Sequence, residues 1–426
     1  MKLKALVGSG DKIGLFTLPY LIPILFLNIL FPEIFSVGGP SPLLKIISII
    51  VLIPGLINWA WSVYLILTKI PKKELITTGP YSIVKHPLYI GVSLLVLPWA
   101  GFLLNTWLGL LIGIVMYIGS GKYAPDEEKY LSGKFGGEWD EYVKKVKFPG
   151  ILKKHALLSY FVLAFAVSWG LIAAIVGPDI INPWAEASPG ILPLVVVIML
   201  LGPIVSGLLM TALVDGKKGF SDLSQRIFKR KLKIRWYAAL LIAPLSLILS
   251  NLVLSLFSPK YLLTAFSGGE GEVTLSFTFI GALLGGLMEE VGWTGFAIPR
   301  MLRRFNIFKT GLLLGLIWGA WHFIVNFWGS GIAAEKVPVA VFVGVALFSF
   351  LLPYRIIMVW LYIRTESLLL AILMHTSLIF FWLMFMPISA TGAYRVYWFL
   401  LWAGVLWVVV GALNKITKGQ FFRRVE

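Results

Sequence analysis

This sequence has no cysteine and few charged residues. The absence of cysteine excludes disulfide bonds, thiolate metal sites and a cysteine nucleophile. Charged residues make up 13% of the 426 residues, against 58% hydrophobic residues, which is too apolar a balance for a water-soluble protein. The composition therefore predicts an integral membrane protein that is solvated by the lipid bilayer.

Acidic residues are scarcer than basic ones. The 20 Asp and Glu residues are outnumbered by 37 Lys and Arg residues, which gives a formal net charge of +17. The basic residues alternate by loop and concentrate at the N-terminus, in 71–87, 120–155, 214–235 and 299–309, and in the C-terminal tail. Under the positive-inside rule this alternation predicts that both termini are cytoplasmic. The charge therefore requires no nucleic-acid partner.

Apolar runs long enough to cross about 30 Å of hydrocarbon as helices recur along the whole chain. They lie near 14–31, 43–69, 88–102, 104–119, 156–177, 190–213, 236–257, 275–298, 310–328, 338–362, 367–387 and 394–413. The sequence thus predicts an all-α, polytopic fold with about twelve transmembrane helices. The polar stretch 120–155, interpreted as a long loop, separates two fused bundles: 1–155 with about four helices, and 156–426 with about eight.

Three ionisable residues lie deep inside apolar runs of the second unit. At 1.5 Å per residue from the predicted cytoplasmic face, Glu289 lies about 15 Å deep, His322 about 18 Å and His375 about 12 Å. Buried charges in membranes pair with one another or perform chemistry. The shared depth therefore favours one site over three separate packing residues, although a single intramembrane histidine is often only a packing residue.

The motifs around these residues resemble the CAAX protease and bacteriocin-processing (CPBP) intramembrane proteases. That family has EExxxR, then an aromatic residue four positions before a histidine, then HxxxN or HxxxD. Here "EEVGWTGFAIPR" begins with Glu289 and Glu290, "WGAWH" ends at His322, and "HTSLI" begins at His375. Two positions depart from the pattern: Thr294 replaces the motif arginine, and Ile379 replaces the motif Asn or Asp.

The resemblance implies peptide hydrolysis by an activated water. Glu289, assisted by His322, would be the general base, His375 would polarise the scissile carbonyl, and Glu290 would orient its neighbours. The need for a metal is left open, because Glu289, His322 and His375 plus water also form a familiar zinc set. With Ile379 unable to donate a hydrogen bond, Asn326, one turn after His322, is the candidate second donor to the oxyanion; a packing role for its amide is the alternative.

The N-terminal unit resembles a different family, the isoprenylcysteine and phospholipid methyltransferases. Two motifs flank a predicted helical hairpin: "GPYSIVKHPLYIG" from residue 79, and "EEKYLSGKFGGEWDEY" from residue 127. The resemblance implies S-adenosylmethionine as cofactor, with its ligands drawn from Tyr81, His86, Tyr89, Glu127 and Glu128. That molecule has a carboxylate, which needs a donor, hydroxyls and an ammonium, which need acceptors, and a sulfonium, which favours a nearby aromatic face. His86, Glu127 and Tyr89 supply one group of each kind.

The two resemblances together imply a membrane endopeptidase of the CAAX-processing type fused to a methyltransferase. Its partners would be the bilayer and a peptide, prenylated or lipidic substrate. Fold-level analogy does not fix function, and Thr294 and Ile379 favour a competing hypothesis: a catalytically silent scaffold or chaperone in which only the methyltransferase unit is active. A proton-coupled carrier is a third alternative, although no paired discontinuous helices are evident.

Overall fold

The computed structural model describes residues 8–37, 42–146, 150–186, 191–262 and 271–423. Every regular element within these ranges is helical, which confirms the predicted all-α, multi-pass class. Eleven helical segments are long and apolar enough to cross a membrane, and the predicted span 88–102 is a shorter apolar helix, Pro87–Leu103. The side of the membrane on which each terminus lies stays a prediction.

The chain divides into two compact units. One comprises Met1–His155 with Ala173–Gly177, and the other comprises Ala156–Ile172 with Pro178–Glu426. The main division falls between His155 and Ala156, at the end of the long polar stretch. Each unit is built from helices joined by short 3₁₀ segments and turns.

In its described residues, the N-terminal unit contains eight α-helices: α1 Gly10–Leu30, α2 Pro32–Phe35, α3 Pro42–Lys69, α4 Pro87–Ile90, α5 Leu97–Leu103, α6 Leu108–Phe135, α7 Gly137–Lys145 and α8 Gly150–Lys154. A π-helical segment, Gly91–Val96, joins α4 to α5. The prediction of a loop over 120–155 is wrong for most of its length, because α6 continues unbroken to Phe135 and the helices α7 and α8 follow it. The acidic side chains Asp126, Glu127 and Glu128 of α6 have partners within the unit. This helix ends at Gly136, whose φ of 51° suits glycine.

The described part of the C-terminal unit contains twelve α-helices: α9 Ala156–Val176, α10 Ile191–Val214, α11 Gly216–Ile227, α12 Ile242–Ser255, α13 Gly271–Gly292, α14 Ile298–Leu302, α15 Ile307–Phe327, α16 Ser330–Ala334, α17 Val339–Phe348, α18 Leu351–Thr365, α19 Leu368–Phe385 and α20 Gly392–Ile416. A π-helical turn, Trp293–Ala297, links α13 to α14. The predicted span 338–362 is two helices, α17 and α18, which break at Ser349 and Phe350.

Glycine allows the helices that carry the predicted catalytic residues to approach closely. A Cβ atom on Gly286 of α13 would lie 2.8 Å from the carbonyl oxygen of Ile372 on α19. A Cβ atom on Gly311 of α15 would lie 2.5 Å from the Cα atom of Ile356 on α18. Small residues drive such packing in membranes, where no hydrophobic effect brings helices together. The result is two tightly packed pairs, α13 with α19 and α15 with α18.

Candidate active site

The carboxylate of Glu289 is held by two tryptophans. Its Oε2 atom accepts a hydrogen bond from the indole N–H of Trp318 at 2.6 Å and another from the indole N–H of Trp293 at 3.2 Å. Glu289 is 3% exposed and both indole rings are buried. Because both hydrogen bonds go to Oε2, they fix the side chain and leave Oε1 directed toward His375.

The carboxylate of Glu290 is the centre of a buried ion pair. Both of its oxygens accept from Nη1 of Arg355, at 2.8 and 3.0 Å, and both side chains are fully buried. Oε1 also lies 2.7 Å from Nδ1 of His375, and Oε2 accepts from the hydroxyl of Thr294. Glu290 therefore has its hydrogen-bonding capacity occupied by protein, which suits a residue that orients its neighbours.

His375 lies between the two carboxylates. Its Nδ1 faces Glu290, and its Nε2 lies 3.8 Å from Oε1 of Glu289. The second separation is too long for a direct hydrogen bond, but a single water molecule could bridge the two atoms. The ring also packs edge-on against Trp318, with 5.1 Å between ring centroids. The structure thus brings Glu289 and His375, which the sequence places at a similar depth, close to each other.

His322 joins this group through Trp318. The centroids of the two rings are 5.5 Å apart, and Nδ1 of His322 lies 2.9 Å from the carbonyl oxygen of Trp318. A carbonyl only accepts, so Nδ1 must carry the proton and Nε2 of the neutral ring carries the lone pair. The side chain of His322 is partly exposed, in contrast to the buried His375. The structure thus gathers Glu289, His322 and His375 around one tryptophan.

The predicted second oxyanion donor, Asn326, lies on α15, and Ile379, which stands at the motif's Asn or Asp position, lies on α19. The amide Nδ2 of Asn326 donates to the carbonyl oxygen of His322 at 3.0 Å, which uses one of its two N–H groups. The Cδ1 atom of Ile379 lies 3.0 Å from the point where Gly285 would carry a Cβ atom. Ile379 therefore packs against α13 one turn before Glu289.

Arg355 is the site residue that the sequence reasoning missed. The motif directed attention to position 294, where the family has arginine and this chain has threonine. The sequence nevertheless contained an indication of its role. Arg355 is a charged residue within the apolar run 338–362, and a charged residue inside a membrane span is by default a candidate functional residue. Its guanidinium also lies over the ring of Trp318, 4.0 Å from the centroid.

The side chains predicted as possible zinc ligands are not grouped as three around one point in the described part of the chain. Within the described residues, no three His, Asp or Glu side chains are grouped so that they could hold a metal ion. Both nitrogens of His375 face carboxylates, and Oε2 of Glu289 is bonded to indoles. Zinc coordination by Glu289, His322 and His375 stays a prediction, and the mechanism proposed below uses the side chains alone.

In the N-terminal unit, the predicted cofactor residues surround a cavity of about 450 Å³, a volume typical of small-molecule sites. Tyr81, His86, Tyr89 and Glu127 line it. Lysines, carboxylates, apolar side chains and further aromatic rings complete the wall, among them Lys12, Glu74, Leu131, Trp139 and Tyr142. Four of the five predicted residues thus meet at one cavity, contributed by the segments before and after the hairpin.

The two adjacent glutamates of α6 have different partners. Oε2 of Glu127 accepts from the hydroxyl of Tyr89 at 2.9 Å and from the backbone N–H of Ser9 at 3.0 Å. Glu128 pairs with Lys85 at 2.5 Å and lies 3.1 Å from Nε2 of His86. Glu128 therefore contacts the His86 ring without lining the cavity, whereas Glu127 is part of the cavity wall.

Two tyrosines of this cavity are outside the membrane-spanning segments and are kept in the neutral form. Burial, followed by the charge of Glu127, raises the pKa of Tyr81 above its ordinary value. Burial, followed by the charge of Glu128, likewise raises the pKa of Tyr142, whose hydroxyl donates to the carbonyl oxygen of Tyr81 at 2.9 Å. Both rings therefore present neutral phenols at physiological pH.

Fold and site together define a polytopic membrane protein with a buried centre of paired glutamates and histidines. Comparison with known proteins is consistent with this class. Residues 271–381 match the protein-family model described as type II CAAX prenyl endopeptidase Rce1-like, and this range contains all five predicted catalytic positions. A curated relative, CAAX prenyl protease 2 of Methanococcus maripaludis, is 28% identical over 193 residues, which are 44% of this chain and 70% of the relative.

The C-terminal region is therefore similar to the Rce1-like CAAX proteases, which confirms that part of the resemblance. The family match does not extend to the N-terminal unit. The methyltransferase resemblance of that unit stays a prediction.

Proposed function

We propose that the C-terminal unit is a membrane-embedded endopeptidase of the CAAX prenyl protease type. The observation that carries this proposal is the placement of Nε2 of His375 3.8 Å from Oε1 of Glu289, inside a region that matches the Rce1-like family. A base and a polarising group at this separation can address the two reactants of peptide hydrolysis, the water and the scissile carbonyl.

Glu289 would act as the base. Its Oε1 takes a proton from water while the water oxygen attacks the carbonyl carbon of the scissile peptide. The proton then passes to the amide nitrogen and the C–N bond breaks, which releases an amine and a carboxylic acid. The acid then loses the second proton of the water to solvent and becomes a carboxylate. The lone pair on Nε2 of His322 provides a second acceptor that holds the water, consistent with the assisting role implied by the resemblance.

His375 would stabilise the negative oxygen that develops on the carbonyl. With Nδ1–H donated to Glu290, the ring presents an Nε2–H donor only when it is an imidazolium. Glu289 and Glu290 lie one near each ring nitrogen.

Cleavage of defined peptides by the full-length protein in detergent tests this proposal. The substrates are a peptide with a C-terminal prenylated CAAX sequence and the same peptide without the prenyl group. We expect the wild type to release the C-terminal tripeptide from the prenylated substrate. We expect Glu289→Gln to lose at least about a hundredfold in kcat, because a single positioned acid–base group contributes about 10²–10⁴.

The control is Glu366→Gln, which alters an exposed glutamate that pairs with Lys229 and should cleave like the wild type. Equal rates for Glu289→Gln and the wild type would contradict the proposal. A wild type that binds the peptide but cleaves neither substrate would instead support the silent scaffold or chaperone.

A second candidate function concerns the N-terminal unit. We propose that its cavity binds S-adenosylmethionine, which would supply a methyl group to a prenylated or lipidic acceptor. The cavity that Tyr81, His86, Tyr89 and Glu127 share supports this proposal. His86 could donate to the cofactor carboxylate, Glu127 could accept from its ammonium or ribose, and the neutral phenols offer aromatic faces to the sulfonium.

Calorimetry with the full-length protein tests cofactor binding. We expect S-adenosylmethionine to bind the wild type and to bind the His86→Ala/Glu127→Ala double variant at least about tenfold more weakly, because each lost charge-assisted hydrogen bond costs about 1.5–3 kcal/mol. Glu33→Gln alters an exposed glutamate of α2 and is the matched control. Binding that is absent in the wild type, or unchanged in the double variant, would sink the proposal.

A further inference from the structure

The paired glutamates of this chain lack a positive charge on their own helix. An arginine at position 294 would lie four residues after Glu290, on the same helical face, where it could pair with that carboxylate. Thr294 supplies only a hydroxyl, which donates to Oε2 of Glu290. A hydroxyl leaves the charge of a fully buried carboxylate without an opposite charge, and such a charge is costly in a membrane interior.

Arg355 supplies the missing charge from a different helix. It projects from α18, and its Nη1 atom reaches both oxygens of Glu290 at 2.8 and 3.0 Å. Neither side chain has any exposed surface. Replacing a buried ion pair by apolar residues often leaves stability equal or higher, so stability alone does not account for an arginine at this position.

The geometry connects Arg355 to the reacting groups by two routes. Oε1 of Glu290 accepts from Nη1 of Arg355 and lies 2.7 Å from Nδ1 of His375. The guanidinium therefore fixes the carboxylate that in turn fixes the imidazole ring and its tautomer.

The second route passes through Trp318. Its ring face lies 4.0 Å from the guanidinium carbon of Arg355, and its N–H donates to Glu289 at 2.6 Å. A cation over an indole ring attracts its π electrons, which makes the ring N–H a stronger donor to the proposed base.

We propose that Arg355 is a positioning residue that takes over, from α18, the role of the arginine absent at position 294. It acts through Glu290 on His375 and through Trp318 on Glu289, and it does not contact the substrate. The inference rests on the proposed peptidase function, because it assigns a part in that reaction.

Four variants of the full-length protein test the proposal: Arg355→Leu, Arg355→Lys, Arg355→Leu/Thr294→Arg and Arg355→Leu/Thr294→Val. Arg355→Leu should lower kcat about a hundredfold, the effect of a small displacement of catalytic groups, with KM within about twofold of the wild type because bound substrate does not touch Arg355. Arg355→Lys should be intermediate, since lysine keeps the charge and loses the planar donor geometry.

The decisive comparison uses the transfer variant, Arg355→Leu/Thr294→Arg, in which the arginine is moved from α18 to position 294. Arg355→Leu/Thr294→Arg should regain at least about tenfold in kcat over Arg355→Leu, whereas the isosteric Arg355→Leu/Thr294→Val should regain nothing. An arginine that only fills space in α18 could not be replaced by one on α13. Wild-type kcat in Arg355→Leu, or a folded transfer variant no faster than Arg355→Leu, would overturn the proposal.

A measurement without substrate distinguishes failure of this inference from failure of the proposed peptidase function. Thermal midpoints in detergent are compared for Arg355→Leu, Glu290→Leu and the double variant. Each single change leaves a buried charge unpaired and should lower the midpoint, whereas the double variant should lie above both. If the wild type cleaves no peptide, the peptidase proposal fails. If the midpoint changes are additive, Arg355 and Glu290 do not act as a pair and the inference fails by itself.

Discussion

The indole N–H of Trp318 lies 2.6 Å from Oε2 of Glu289, and this contact crosses from α15 to α13. Trp318 is four residues before His322 and lies on the same face of α15. One helical turn therefore carries both the tryptophan that binds Glu289 and the imidazole of His322. This single indole thereby fixes the position of Glu289 relative to His322.

Replacing this indole by a phenyl ring removes the donor and keeps an aromatic ring. We expect Trp318→Phe to lower kcat about tenfold or more, because a hydrogen bond to a charged group is worth about 1.5–3 kcal/mol. Peptide-cleavage rates measure the effect. The control is Trp382→Phe, since the indole N–H of Trp382 has no hydrogen-bond partner in the described part of the chain. A Trp318→Phe protein as fast as the wild type would show that Glu289 does not need the hydrogen bond from Trp318.

The second prediction concerns the donor missing at Ile379. If Asn326 partly replaces it, Asn326→Leu should lower turnover about a hundredfold, the usual effect of losing one oxyanion donor, while the protein stays folded. Ile379→Asn should raise turnover, because its amide would lie against Gly285, one turn before Glu289. If Asn326→Leu cleaves like the wild type and Ile379→Asn is faster, Asn326 only caps the His322 carbonyl.

The third prediction tests the close packing of α15 on α18. In Gly311→Ala the new Cβ atom would lie 2.5 Å from the Cα atom of Ile356, so the helices must separate. We expect a loss of about 1–3 kcal/mol in the free energy of unfolding, seen as a lower thermal midpoint in detergent. Gly281→Ala, whose Cβ atom would meet nothing within 4 Å, should be neutral or stabilising. Equal midpoints for the two variants would contradict the packing argument.

The fourth prediction uses the raised pKa of Tyr142. Near neutral pH, Tyr142→Phe should destabilise the protein by about 0.5–1.5 kcal/mol, since the hydrogen bond to the Tyr81 carbonyl is lost. Above pH about 10 the unfolded chain ionises this tyrosine while the folded protein keeps it neutral, so the wild type loses stability as pH rises. The phenylalanine variant lacks that loss.

The stability difference between wild type and Tyr142→Phe should therefore shrink between pH about 8 and about 11. Thermal midpoints of both proteins across this range provide the measurement. A difference that stays constant, or that grows with pH, would falsify the assignment of a raised pKa to Tyr142.

Hydropathy predicted the membrane helices of this protein, and depth along them predicted that Glu289 and His375 lie near each other. The apolar runs locate the membrane helices because every backbone group in hydrocarbon must bond within its own segment. Counting residues from the loops placed Glu289 and His375 at one level, and the structure brings them to 3.8 Å. Both predictions depend only on distances along single helices.

What sequence could not supply is rotation about the helix axis and contact between helices. Arg355 was missed because its partner, Glu290, is 65 positions away and on another helix. The continuation of α6 through 120–135 was missed because its charges suggested a loop. Adjacent residues on a helix point about 100° apart, so Glu127 and Glu128 reach different partners, Tyr89 and His86.

The π-helical turn Trp293–Ala297 determines how α14, which follows it, is rotated about the helix axis relative to α13. A π turn holds an extra residue, and deleting one residue there would rotate α14 by about 100°. Arg300 would then leave Asp215, to which it now donates at 2.5 Å, while Glu289 and Glu290, upstream of the turn, would keep their phase. A one-residue change in length can therefore re-anchor the end of this helix without moving the carboxylates.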